Sequence, residues 1–302
     1  MVATQTIPAS HAHQAVGFHN ILFGTDFSSA SKIALPYAAG LARMFGGKLF
    51  AMHVKEPTNY ALPPETWQAS EKLLEQDMKE LRERVEREVP RSSTQVLQGD
   101  GGLWGSLATT VKENQIDLIV VGTRGRTGVG KALLGSQAEE LLRRAACPVL
   151  TVGPHAQING EPCGKFASIL FATDFGADSI AAVPYAVHIA QEAKAKLTAL
   201  HVIRNMRLGE IAVPEIFGEA DERRLRELLP GDEGMWSPSR CIVEEGEPAK
   251  KILEVAKRVH ADVIVLGVHK ANGIPGAATH LPVSIVHHVV AHAQCPVLTI
   301  RG

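Results

Sequence analysis

The chain of 302 residues contains the same series of short segments twice. Three of them return 148 residues further on: ILFGTDF at 21–27, KLFAMHV at 48–54 and CPVLTV at 147–152. Their second copies read ILFATDF, KLTALHV and CPVLTI. Segments that recur in one order and at one spacing indicate a duplicated unit. We therefore expect two copies of one fold, each of about the length of a single domain.

The repeat also predicts where the domains begin and end. Residues 1–17 carry no Lys or Arg and no long apolar core, so we interpret them as a flexible N-terminal tail and not a secretory signal. The first domain is predicted over 18–153 and the second over 166–302. Between them, 154–165 is rich in Gly and Pro, which is typical of a linker.

Within each copy, short apolar runs alternate with segments of helical spacing. In the first copy the predicted helices are 29–45, 65–89, 103–114 and 136–146. The run DLIVV at 117–121 is continuously apolar, as in a strand buried on both faces. The pattern predicts an α/β fold with two tandem doubly wound domains, each a parallel sheet with helices on both faces.

Composition excludes several classes of partner. The net charge is −1, whereas proteins that coat nucleic acid or anionic membranes need an excess of positive charge. Aromatic residues make up only 5% of the chain, and no run of 18 apolar residues occurs. The four cysteines are scattered, which favours a reducing compartment. We expect a cytoplasmic protein that binds neither nucleic acid nor membrane.

A glycine-rich loop follows the buried run 117–121 and extends to Ser136. In a doubly wound sheet, ligands bind beyond the carboxyl ends of the strands, where this loop is expected to lie. Glycines allow backbone N–H groups to approach an anion, and a helix that starts at Gly135-Ser136 would present further N–H groups to phosphate. Arg124, Arg126 and Lys131 add positive charge. The alternative is a flexible loop in which Ser136 only caps the next helix.

Part of this loop, 125–131, also reads as the G-x4-G-K fragment of a P-loop. Ala132 follows where a P-loop requires the hydroxyl of Ser or Thr for Mg²⁺. A P-loop also follows the first strand of its sheet, whereas this fragment begins three residues after Gly122, beyond the fourth predicted strand. We therefore favour a different reading of the loop.

The spacing Gly122-x2-Gly125-x9-Gly135-Ser136 resembles the G-x2-G-x9-G-(S/T) motif of the universal stress protein family. ILFGTDFS near the start and ACPVLTV at the end of the first copy are also similar to that family. The resemblance covers nearly the whole chain as two tandem copies. It implies five parallel strands per domain in the order 3-2-1-4-5, and binding of ATP, alone or with Mg²⁺.

Carried over residue by residue, the resemblance assigns eight positions to an ATP site: Asp26, Val54, Gly122, Arg124, Gly125, Gly135, Ser136 and Gln137. The first two would contact the adenosine end, the next three would line the ribose and phosphates, and the last three would hold the phosphates. Two of these positions have a simpler explanation. Asp26 is also suited to the start of a helix, and Val54 to the core.

The second copy departs from the motif. Lys270 stands at the position of Gly125, and Val283 at that of Gly135. Three additional residues with prolines interrupt the loop between Gly267 and Ser284. A β-branched side chain at 283 is expected to block the close approach of a phosphate. We therefore predict one nucleotide site per chain, in the first half.

These expectations favour an ATP-binding universal stress protein that acts as a nucleotide-responsive regulatory or stress-response module with an unidentified protein partner. Two alternatives stay open: a slow ATPase, and a structural or signalling scaffold that binds no nucleotide. In the family the last strand of one domain pairs with another domain, so the two halves are expected to form an intramolecular pseudo-dimer. A homodimer of whole chains is a further expectation.

Two pairs of histidines are further candidates for a functional site. His288 and His292 share a face of a predicted helix at a spacing that metals use, although no Cys or carboxylate accompanies them. We interpret them as surface or packed residues and predict no metal site. His53 and His201 recur at the same position in both copies, which favours a structural role for both.

Overall fold

A computed structural model describes the following residues of the chain: 16–55, 63–98, 102–123, 135–156, 165–204, 207–208, 211–231, 235–268 and 281–301.

The first half alternates strands and helices in the predicted order. Its elements are β1 (Asn20–Gly24), α1 (Ser29–Met44), β2 (Lys48–Lys55), α2 (Pro64–Glu88), β3 (Ser93–Gln98), α3 (Gly102–Glu113), β4 (Leu118–Gly122), α4 (Ser136–Arg144) and β5 (Val149–Val152). All four predicted helices are present, with ends that differ from the prediction by no more than two residues.

The second half repeats this order with two changes. Its elements are β6 (Ser168–Thr173), α5 (Ala177–Ala181), α6 (Val183–Ala193), β7 (Lys196–Ile203), β8 (Arg207–Leu208), β9 (Ile211–Ala212), α7 (Val213–Leu228), β10 (Arg240–Glu245), α8 (Pro248–Arg258), β11 (Val263–Val268), α9 (Leu281–His292) and β12 (Val297–Arg301). The pair α5 and α6 replaces the single α1, and Ala182 separates them. Strands β8 and β9 form a small antiparallel pair of their own.

Among the described residues, ten strands form one sheet, in the order β10-β7-β6-β11-β12-β5-β4-β1-β2-β3. Each half contributes five parallel strands in the expected order 3-2-1-4-5, which confirms the predicted fold class. The halves join where β5 pairs with β12 in antiparallel orientation, with Leu150 opposite Leu298. This pairing inside one chain is the predicted pseudo-dimer, and it covers two strand edges that would otherwise be exposed.

Two buried threonines reinforce this junction. Thr151 donates its hydroxyl to the carbonyl of Val297, and Thr299 donates to that of Val149, each at 3.1 Å. Thr151 and Thr299 are 148 residues apart, so an approximate two-fold axis relates the two bonds. Each hydroxyl is therefore satisfied by the backbone of the other half, which removes the cost of burying it.

Helices cover both faces of the sheet, as the apolar strands require. One core cluster contains residues of α1, α2, α6 and α7, and the other contains residues of α3, α4, α8 and α9. Within β1, Ile21 and Phe23 belong to the first cluster and Leu22 to the second. Alternate side chains of one strand thus enter different cores, which explains its continuous apolar run.

The predicted tail and linker lie mostly outside the described residues, at 1–15 and 157–164. Ala156, which falls within the predicted linker, is buried in the first core cluster together with Phe166. The domain boundaries therefore stay predictions. In the part of the chain that the structure describes, no helix is both long and apolar enough to cross a membrane.

Candidate functional site

Strands β4, β1 and β2 lie side by side, and their carboxyl ends form one edge of the sheet. Gly24 pairs with Met52 on one side and with Val121 on the other. The backbone N–H of Thr25 continues the ladder by donating to the carbonyl of Met52 at 2.9 Å. Because the strands end in register, the fold brings Asp26, Val54 and Gly122 to the same edge.

Asp26 lies in a tight turn between β1 and α1. Its Oδ1 accepts a hydrogen bond from the N–H of Ser28 at 3.0 Å, and the N–H of Phe27 donates to the hydroxyl of Thr25 at 3.0 Å. Phe27 has a φ of 61°, a left-handed conformation that side chains rarely adopt. The two hydrogen bonds hold this strained residue, and Ser28 then caps α1 by accepting from the N–H of Ser31.

The turn also keeps Asp26 charged. Partial burial opposes ionisation of its carboxyl, but hydrogen bonds from Ser28 and Ser31 outweigh the burial and hold the pKa of Asp26 below its ordinary value. An ionised carboxylate can only accept hydrogen bonds. At neutral pH this position therefore suits hydroxyl or amino donors and repels phosphate.

The same turn recurs in the second half. Asp174 accepts from the N–H of Gly176 at 2.9 Å, Phe175 donates its N–H to the hydroxyl of Thr173 at 2.9 Å, and the φ of Phe175 is 62°. Since the second half lacks the glycine motif, the turn alone is sufficient reason for an Asp at this position. Asp26 therefore has a structural role, whether or not it contacts a ligand.

His53 and His201 support these turns, as predicted. The Nδ1 of His53 lies 2.8 Å from the carbonyl oxygen of Thr25, and that of His201 lies 2.9 Å from the carbonyl oxygen of Thr173. Each ring also packs against the strained phenylalanine, with centroid distances of 4.9 Å to Phe27 and 4.4 Å to Phe175. Their recurrence thus has a structural explanation.

Val54 is half-buried and packs, with Val121, against the second core cluster. Its side chain therefore serves the core, and its backbone at the edge is the part that remains for a ligand.

The start of α4 lies at the carboxyl end of β4. The N–H of Gly135 donates to the carbonyl of Thr123 at 2.9 Å, which brings the two ends of the loop 124–134 together. Gly135 is the N-cap residue, and its own carbonyl accepts from the N–H of Glu139 at 2.9 Å. The expectation that Ser136 caps α4 is wrong, because the helix already begins at Ser136.

The first backbone N–H groups of α4 have no hydrogen-bond acceptor inside the helix. Gly135 supplies no side-chain cap, and helix geometry gives the N–H groups of Ser136, Gln137 and Ala138 no acceptor within α4. Gln137 is exposed in the first turn. Arg124 and Gly125, together with Arg126 and Lys131, lie outside the described residues.

Thr123 is a candidate that sequence reasoning missed. It is only 2% exposed, and its hydroxyl has no hydrogen-bond partner among the described residues. It stands between β4 and the glycine-rich loop, where a buried hydroxyl without a partner is costly. A signal existed in the repeat, since Val268 stands at the matching position of the second half, without a hydroxyl.

The second half differs at both parts of the predicted motif. Helix α9 begins at Leu281, three residues before Ser284, the counterpart of Ser136, so position 283 is inside a helix. A Cβ on Gly267 would lie 2.3 Å from the carbonyl oxygen of Asp178 and from the Cα of Ser179. Close packing of α5 therefore explains this glycine without a ligand. Lys270 and the inserted prolines at 275 and beyond lie outside the described residues, apart from Pro282 in α9.

The histidine pair of α9 is stacked, with centroids 4.3 Å apart, and the Nδ1 of His292 lies 2.8 Å from the carbonyl oxygen of His288. No group of three or more His, Cys, Asp and Glu residues comes together among the described residues.

The thiols of Cys147 and Cys295 are expected to be unreactive in the folded protein. Burial, with a contribution from Asp117, raises the pKa of Cys147 to about 12, and burial, with a contribution from Asp262, raises that of Cys295 to about 12. At pH 8 about one such thiol in ten thousand is ionised, and the thiolate is the reactive form. We expect iodoacetamide to leave both cysteines unmodified in the folded protein and to alkylate both in urea, as read by peptide mass spectrometry. Rapid labelling of either one without urea would contradict this burial.

The chain matches the model of the "Universal stress protein family" twice, over residues 17–153 and 165–301. A universal stress protein of Mycolicibacterium smegmatis is 27% identical over 95% of this chain and 99% of its own length. One of Thermus aquaticus is 34% identical over 45% of this chain and 98% of its own length. The crystal structure of a universal stress protein from Archaeoglobus fulgidus, 20% identical, superposes with a TM-score of 0.68 over 93% of this chain and 98% of that one. The chain thus belongs to the universal stress protein family, with two copies of the family's domain in tandem.

Proposed function

We propose that this protein binds ATP, alone or with Mg²⁺, at one site in its first half, and acts as a nucleotide-responsive regulatory or stress-response module. The observation that carries the proposal is the start of α4. There, a glycine N-cap without a side-chain cap follows the glycine-rich loop at the carboxyl end of β4. A helix N-terminus with free N–H groups favours phosphate through both hydrogen bonds and the helix dipole.

The phosphates would be held at this helix start. Gly135, Ser136 and Gln137 would donate backbone N–H groups, and the Ser136 hydroxyl would add one more donor. Gly122, Arg124 and Gly125 would line the ribose and phosphates, where a guanidinium neutralises charge well. The buried hydroxyl of Thr123 lies at the beginning of the same loop and has no partner among the described residues, which fits a site that receives a polar group.

The adenosine end would lie at β1 and β2. Asp26 is ionised at neutral pH because its pKa is low, so it suits the hydroxyl or amino donors of a nucleoside. The backbone of Val54 would contact the same end, while its side chain stays in the core. An anion at Asp26 and the N–H groups without an acceptor inside α4 would together orient the nucleotide, with the triphosphate toward the helix.

The pairing of β5 with β12 occupies the strand that family members use between domains, so a homodimer of whole chains would need another surface. An unidentified protein partner would respond to the nucleotide state. The described cysteines, Cys147, Cys241 and Cys295, are free thiols, which suits the reducing cytoplasm that we propose as its compartment.

Calorimetric titration of the purified chain with ATP tests the proposal, and the same samples are then analysed for ADP and phosphate over several hours. We expect one ATP per chain and a nucleotide that stays intact. Two ATP per chain would contradict the single site, and no binding up to millimolar ATP would favour the scaffold without nucleotide. Accumulation of ADP and phosphate would identify a slow ATPase instead.

A further inference from the structure

Arg301, the last residue of β12, reaches from the second half to the end of α4 in the first half. Its guanidinium donates to the carbonyl of Leu142 at 3.1 Å and also to that of Arg143. Both carbonyls belong to the last turn of α4, where helix geometry provides no donor within the helix. The next N–H along the chain, that of Ala145, donates to Leu141 and leaves them available. Arg301 therefore caps the C-terminus of α4 from the other half of the chain.

Burial of this guanidinium would be unfavourable if its charge had no partner. Its Nε is buried without a partner among the described residues, and burial together with the nearby Arg143 lowers the pKa of Arg301. The negative end of the α4 dipole and the two carbonyls compensate for that cost, because cations are favoured at a helix C-terminus. The arginine is thus held at this point by α4 itself.

The contact breaks the approximate two-fold symmetry, because the related position in the first half has no guanidinium. Gly153 is the counterpart of Arg301, and Val290 in α9 is the counterpart of Leu142. A Cβ on Gly153 would already lie 3.0 Å from the carbonyl oxygen of Val290, so the backbone itself abuts the end of α9 there. Among the described residues, α4 receives a guanidinium from the opposite half and α9 does not, and α4 is the helix that starts at the proposed phosphate site.

We propose that Arg301 is a positioning residue for that site. By fixing the C-terminus of α4 it would fix the direction of the helix, and so the place of the N–H groups at Gly135 and Ser136. The helix is nine residues long, about 13 Å, so a small tilt at one end displaces the other. The inference rests on the proposed function, and it gives the second half a role in nucleotide binding although its own motif is lost.

The test compares ATP and adenosine binding to the wild type, Arg301→Ala and Arg301→Lys by calorimetry. We expect Arg301→Ala to raise the Kd of ATP by about fivefold or more and that of adenosine by less than about twofold, because only ATP uses the helix start. Arg301→Lys keeps the charge without the fork of donors, so it should fall between. Arg258→Ala is the matched control, since Arg258 is an exposed arginine of the same half that pairs with Glu244. It should bind ATP as the wild type does.

Hydrogen exchange of the α4 amides without nucleotide provides a second readout, and it should be faster in Arg301→Ala. If the wild type binds ATP and both Arg301 variants bind it equally well, the inference is wrong and the proposed function stands. Equal weakening of ATP and adenosine would also overturn it, because that result indicates general loosening. If the wild type binds no ATP, the proposed function fails, and the positioning role fails with it. Should Arg301→Ala not fold, Arg301→Lys decides by the same comparison.

Discussion

Replacement of Gly135 by valine is expected to remove ATP binding while the protein remains folded. A valine at this position would stand at the N-cap of α4, where its branched side chain blocks the approach of a phosphate to the backbone N–H groups. Hydrogen bonds to a charged group contribute about 1.5–3 kcal/mol each. The loss of two of them corresponds to an increase in the Kd of ATP of at least about 100-fold.

The backbone at Gly135 makes this substitution interpretable. Its φ of −62° and ψ of 144° are open to any residue, so a valine there is not strained. Because Gly135 supplies no side-chain cap, the helix loses no capping hydrogen bond in the variant. The second half carries Val283 at the matching position, but that residue lies inside α9 and not at an N-cap, so the variant has to be made in the first half.

Lys131→Ala is the informative comparison, since a P-loop depends chiefly on its lysine. We expect this variant to lose far less affinity for ATP than Gly135→Val. Calorimetry gives the affinities, and thermal melting without nucleotide shows that both variants are folded. If Lys131→Ala is the more damaging change, the loop works as a P-loop and the reading from the family motif is wrong. Wild-type affinity in Gly135→Val would show that the phosphates bind elsewhere.

The fold could be predicted because its signals are strong and local. A parallel strand buried on both faces needs a continuous apolar run, and such runs recur at a fixed spacing, so the strands and their duplication could be predicted from the sequence. The strand order 3-2-1-4-5 came from the resemblance to the family and not from the repeat. The break at Ala182 could not be predicted in the same way. Pro36 and Pro184 stand at matching positions, yet the first lies inside α1 and the second at the start of α6. The proline alone therefore does not decide between one helix and two.

The candidate site was predictable only in part. The glycine spacing identified the loop and the start of α4, but it could not show which glycines are needed for packing. Gly267 is required by the close approach of α5, so a glycine at the end of this strand is not by itself a sign of a ligand site. Thr123 belongs to no motif, so only a comparison with Val268 at the matching position of the second half could have singled it out. The contact of Arg301 with α4 was also out of reach, since it joins residues 158 positions apart in sequence.

Truncation of the leucines at the junction between the halves is expected to cause a large loss of folding stability. Leu150 and Leu298 are each 1% exposed and lie directly opposite each other where β5 meets β12. We expect Leu150→Ala and Leu298→Ala each to lower the free energy of unfolding by about 3 kcal/mol, the usual cost of truncating a buried leucine. Urea denaturation measures the loss. Leu73→Ala is the control, because Leu73 is 60% exposed and its removal should change stability by less than about 0.5 kcal/mol.

The position of the three tryptophans shows whether the halves unfold together. Trp67 and Trp104 report on the first half and Trp236 on the second, so Trp236→Phe leaves fluorescence from the first half alone. In that background, Leu298→Ala should lower the urea midpoint seen in the first half, although the substitution lies in the second. One sheet with a shared core predicts this, because residues in contact across the junction are coupled. An unchanged midpoint would mean that each half unfolds independently, and that the strand pairing contributes little to the stability of either.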